Sequence, residues 1–117
     1  MTDNDKRRFT RVPFDADVTL EPGDCRTELI DISLKGLLVA APAGWPVQAG
    51  GSCVATLELA DDIGIRMDCT VMHVTGDRTG LRIDRIDMES LMHLRRLLEL
   101  NLGDPELFER ELSGLQG

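Results

Sequence analysis

Two short stretches hold the residues best able to do chemistry: Lys6-Arg7-Arg8-Phe9-Thr10-Arg11 and Asp31-Ile32-Ser33-Leu34-Lys35-Gly36. The first concentrates cationic groups. A guanidinium grips phosphate with two parallel hydrogen bonds and its flat face stacks on a purine, neither of which an ammonium does. The second offers a carboxylate, a hydroxyl and a glycine in one short turn, where Asp and Ser bond their own backbone or a polar edge brought to them. The two read as halves of one site for an anion that carries a base. The chain as a whole sharpens this, because 13 Lys and Arg stand against 21 Asp and Glu for a formal charge of -8, while Lys6, Arg7, Arg8 and Arg11 all fall within residues 1–11. A local reversal of charge on an acidic chain suits a small anion such as phosphate. General nucleic-acid binding needs many phosphate contacts over a basic face, so DNA is not an expected partner.

Other chemistries find little support. Ser33 has no general-base His close in sequence, no Gly-rich phosphate loop opens a helix, and His73 and His93 lack partners at metal-ligand spacing, so no catalysis, metal or cofactor is expected. Cys25, Cys53 and Cys69 are odd in number and far apart, which supports neither a disulfide framework nor a zinc site. They read as reduced thiols packed as small core residues. No stretch approaches the apolar length of a membrane span and no signal-peptide pattern opens the chain, so membrane insertion is not expected and a cytoplasmic location is.

The elements that must position these residues follow from periodicity. A chain of 117 residues is one domain with a real core. Residues 15–20 alternate with Ala16, Val18 and Leu20 on one face, and Glu21-Pro22-Gly23-Asp24 is turn chemistry. Further strands are expected at residues 25–32, 36–41, 52–59, 63–74 and 78–83, with turns at residues 60–62 and 76–77. Gly36 reads as a position of positive φ that also lets a ligand approach closely. Such evenly spaced strands joined by short turns predict an all-β fold, a six-stranded antiparallel β-barrel. Trp45, in a Pro- and Gly-rich loop, reads as a plug for one barrel end. After Asp87 the period becomes helical, with Met88, Leu91, Leu94, Leu98 and Leu102 on one stripe, Asp87 as N-cap and Gly103 as C-cap. Asp104-Pro105 opens a second short helix using Leu107, Phe108 and Leu112. The organisation is a basic arm at residues 1–12, a barrel at 13–86 and C-terminal helices at 87–117 that pack on it.

With these residues laid out, the sequence resembles the PilZ domain family of bacterial cyclic di-GMP receptors. The resemblance rests on Arg7-x-x-x-Arg11, on Asp31-x-Ser33-x-x-Gly36, and on the later Gly80-Leu81-Arg82-Ile83 that closes the family's barrel. It covers almost the whole chain and includes the terminal helices of the small stand-alone members. It implies a second-messenger receptor whose Arg arm wraps over the ligand on the outer barrel surface. Arg7 and Arg11 then grip phosphate and stack on base, with Lys6 and Arg8 beside them, Asp31 accepts from a guanine edge, and Ser33 supports it or meets phosphate. Lys6 occupies the position before the Arg motif that influences whether one nucleotide or a stacked pair is bound, and an Arg there would favour the pair. His73 stands where some relatives present Trp, so its stacking is expected to be weaker and pH-sensitive. The partners implied are cyclic di-GMP and a downstream protein read through a change of conformation and surface charge. A monomer is expected. The alternative is a PilZ-like adaptor acting by protein contacts without nucleotide.

Overall fold

The protein is described by a computed structural model at residues 9–60 and 62–116. Strand β1 is Val12–Pro13, β2 Asp17–Glu21, β3 Cys25–Ile32, β4 Gly36–Ala40, β5 Ser52–Ala60, β6 Ile63–Thr75 and β7 Arg78–Ile86. Alternation decides which face of each strand turns inward. In β2 Val18 and Leu20 are fully buried between exposed Asp17 and Glu21, and in β6 Ile65, Met67, Cys69 and Val71 all point inward. The strands are joined in the order β3-β2-β5-β6-β7-β4, and β4 returns to β3, so six antiparallel strands close on themselves and leave no open edge. The turn expected at residues 60–62 includes Asp61, which lies outside the described residues.

β1 is the element that periodicity did not predict. Val12 pairs with Ile32 and Pro13 with Asp31, on the stretch of β3 beyond its pairing with β2, which ends at Glu28. Pro13 has no N–H to give, and the end of an edge pairing is where that lack costs least. The consequence is positional: β1 lays the end of the N-terminal arm alongside the start of the turn at residues 31–36.

Helix α1, Met88–Leu102, begins at Asp87, whose carboxylate accepts from the Ser90 N–H at 3.0 Å, and ends at Gly103 in the left-handed conformation (φ 71°). α2, Pro105–Gln116, is capped by Asp104, which accepts from the N–H groups of Glu106 and Leu107. α1 packs against β6 and β1, and α2 against α1. The buried leucines of α1 are Leu94, Leu97 and Leu98; Met88, expected on the buried stripe, is exposed, and Leu97, outside the expected stripe, is buried. Each such leucine contributes about 1.5–3 kcal/mol by leaving water. Phe108 of α2 is buried with them. Trp45 is half-buried against the barrel core and donates its Nε1–H to the Pro22 carbonyl at 3.0 Å. Among the described residues no helix is long and apolar enough to cross a membrane.

Candidate functional site

The arm and the turn meet at one place. Arg11 Nη1 donates to Asp31 Oδ1 at 2.7 Å, with the two side chains 50% and 20% exposed. This ion pair is set by β1, which places Pro13 opposite Asp31 and so brings Arg11 beside the end of β3. Both groups remain within reach of a molecule arriving from solvent. Lys6, Arg7 and Arg8 lie outside the described residues.

The turn itself is built by Ser33. Its N–H donates to the Gly36 carbonyl at 2.8 Å, and its hydroxyl oxygen accepts from the N–H groups of Lys35 at 3.2 Å and Gly36 at 3.3 Å. Ser33 is buried, so the hydroxyl is committed to holding the loop. Gly36 departs from expectation in its reason for being glycine. It is not in the left-handed region; instead, a Cβ on Gly36 would overlap the carbonyl oxygen of Leu81 on the adjacent strand β7. What it permits is close approach of β4 to its neighbour β7 in the barrel wall.

Beside this turn lies an open groove of about 400 Å³ on the outer barrel face. Among the described residues three cations border it, Arg11, Lys35 and Arg82, together with the rings of Phe9 and His73. The Lys35 ammonium sits 6.0 Å from the centroid of Phe9. A register shift between Val71 and His73 turns the His73 side chain outward, opposite Gly80. A Cβ on Gly80 would strike the imidazole, so the missing side chain is what lets the ring lie flat across β7. Ser33 and Gly36 also line the groove, and Asp31 joins it through Arg11. Arg11, Asp31, Ser33, Gly36 and His73 are therefore brought together. Lys35 and Arg82 were not singled out from sequence, although Arg82 was legible: buried Leu81 before it puts Arg82 on the outer face with Gly80.

Two features tune the surroundings. Arg82 Nε donates to Asp84 Oδ1 at 2.8 Å, and the Thr70 hydroxyl donates to Asp84 Oδ2. The Thr70 hydroxyl first, then the Arg82 guanidinium, holds the Asp84 carboxyl below its ordinary range. On the arm side, Glu111 of α2 accepts from the Thr10 N–H at 3.0 Å and from the Thr10 hydroxyl at 2.5 Å, and Phe9 lies against Gly114. The arm is thus tied both to the turn and to the C-terminal helix. Among the described residues no cluster of three or more His, Cys, Asp or Glu is arranged to hold a metal ion.

A family model described as PilZ domain matches residues 5–100. Among solved structures, the inhibitor of motility MotI/DgrA of Bacillus subtilis superimposes with a TM-score of 0.66 at 21% identity over 80% of this chain. The match takes in 52% of that protein, so the chain spans about half its length. An uncharacterized Legionella protein, Lpg0364, superimposes with a TM-score of 0.54 at 14% identity, over 78% of this chain and 96% of its own. At these identities the likeness is one of fold.

Proposed function

The chain belongs to the PilZ domain family, and from that premise we propose that it is a cytoplasmic receptor for cyclic di-GMP, which it holds in the groove between the arm and the turn at residues 31–36. The observation that carries this reading is the ion pair of Arg11 and Asp31 at 2.7 Å on the rim of that groove, where the family's two motifs come together. Cyclic di-GMP presents two phosphodiester charges and two guanines. In the free protein Arg11 and Asp31 satisfy each other; on binding, phosphate takes the guanidinium and a guanine edge donates to the carboxylate. Arg7, the other arginine of the motif, grips with Arg11, and Lys6 and Arg8 add positive charge. Ser33 keeps the turn in shape, Gly36 keeps β4 on β7, and His73 offers a stacking face.

The magnitudes are adequate. Charge-assisted hydrogen bonds contribute about 1.5–3 kcal/mol each. Three or four of them, less the cost of ordering the arm, reach the roughly -8 kcal/mol of a micromolar complex. Binding becomes a signal through the same arm: drawing it over the ligand works against its bonds to Glu111 and its contact with Gly114. The surface shared by the arm and α2 then changes shape and charge, and a partner protein reads that change.

Calorimetric titration with cyclic di-GMP, using GTP and a short DNA duplex as controls, tests the reading. Saturable heat for the cyclic dinucleotide alone is expected, and its stoichiometry decides between one nucleotide and a stacked pair beside Lys6. No heat, or equal heat with GTP, overturns the receptor reading and favours an adaptor that works by protein contacts.

A further inference from the structure

We propose that Arg82 is a second anion anchor of the groove, meeting the phosphodiester on the side away from Arg11. The inference rests on the receptor reading above and extends it to a residue outside the arm and the turn. A cyclic dinucleotide carries its two phosphates on opposite sides of its ring, so a groove that holds it lengthwise needs a cation at each wall. Arg11 serves the wall formed by β1 and β3. On the other wall Arg82 lies in β7, paired in register with Gly36 of the turn on one side and with Thr70 of β6 on the other. Its side chain borders the groove and is 49% exposed.

Its orientation is prepared. The Asp84 carboxylate takes Nε at 2.8 Å and is itself held by the Thr70 hydroxyl, so the bond network fixes the plane of the guanidinium from behind. Among the described residues that network engages Nε only, which leaves the Nη1 and Nη2 edge for a bidentate contact with phosphate. Lys35, on the turn between the two walls, adds charge without a fork. Asp84 is a positioning residue here, and Arg82 the group that touches ligand.

Calorimetry with cyclic di-GMP on wild type, Arg82→Ala, Arg82→Lys and Arg85→Ala tests this, with thermal melts alongside. Arg85 is the control: it lies on the same strand but lines hollows elsewhere on the surface, so its loss changes net charge equally without touching the groove. Arg82→Ala is expected to bind about tenfold or more weakly, as loss of a charge-assisted contact requires. Arg82→Lys falls between it and wild type, Arg85→Ala stays within about twofold, and all four melt together. Equal weakening by Arg82→Ala and Arg85→Ala assigns the effect to bulk charge and overturns the proposal. So does an Arg82→Ala protein, or a folded Arg82→Lys protein, that binds as wild type does. A wild type that gives no heat overturns the receptor reading itself.

Discussion

Replacing Gly36 and Gly80 with alanine, one at a time, separates a glycine needed by the fold from one needed by the groove. A methyl on Gly36 would overlap the Leu81 carbonyl oxygen and lie 3.4 Å from its carbon and 3.5 Å from the Arg82 Cα. All of these are backbone atoms of the paired strand, so relief requires β4 and β7 to separate within the barrel wall. Overpacking of this kind costs about 1–3 kcal/mol. At about 4 °C per kcal/mol for a domain of this size, the melting temperature should fall by about 4–12 °C. The atoms a methyl on Gly80 meets first all belong to the His73 ring, with Cε1 at 2.7 Å and Cδ2 at 2.9 Å. That ring ends an exposed side chain and can swing away, and alanine restricts the unfolded chain in compensation by about 0.4–1 kcal/mol. Gly80→Ala should therefore melt within about 3 °C of wild type, while its groove loses the flat imidazole and binds cyclic di-GMP more weakly. Circular-dichroism melts of both variants decide the matter. A Gly36→Ala protein as stable as wild type, or a Gly80→Ala protein that falls as far as Gly36→Ala, would show that the two glycines do not divide between fold and groove in this way.

Arg11→Ala and Asp31→Ala should each abolish detectable cyclic di-GMP binding yet shift the melt of the free protein by no more than the roughly 0–1 kcal/mol of an exposed ion pair; a collapse in stability would make the motif structural. Asp84 has a carboxyl pKa lowered by folding, so its contribution is present above about pH 4 and is lost as pH falls through the lowered value. Urea midpoints of wild type and Asp84→Asn should accordingly converge as the pH is taken progressively below about 4, and parallel curves would contradict this. Burial, with Asp84 a lesser cause, pushes the Cys53 thiol up to about 11, and burial and then Cys53 push Cys69 up further. Native protein treated with a maleimide near neutral pH should therefore modify half-buried Cys25 first, and urea should expose all three cysteines; rapid native labelling of Cys69 would count against so closed a barrel.

Much of this architecture is legible in the chain because alternation and helical period are strong signals. Cys25–Ile32 falls where the strand after the Glu21–Asp24 turn is expected, and the Asp87 and Gly103 caps bound α1 as their chemistry requires. β1 is invisible to such reasoning, since two residues have no period and Pro13 argues against a strand until its partner on β3 is known. Ser33 and Gly36 are recognisable as a turn, but burial of the hydroxyl and the pressure of Leu81 on Gly36 arise only when β7 is laid beside β4. Arg82 illustrates the same limit. Its outward direction follows from local alternation, whereas its neighbours Gly36 and Thr70 come from two different strands. The exposure of Met88 and burial of Leu97 likewise reflect how α1 is rotated on the barrel, which a stripe of apolar residues leaves undetermined to within one position.

The most direct test of the central claim is a backbone amide NMR titration of the isotope-labelled protein with cyclic di-GMP. Saturable shifts are expected, confined to the arm around Thr10 and Arg11, the turn at Asp31, Ser33 and Gly36, and the facing strands at His73, Gly80 and Arg82, with smaller ones near Glu111. Shifts centred instead on the outer face of α1 at Met92 and Arg96, or none at saturating ligand, would contradict it.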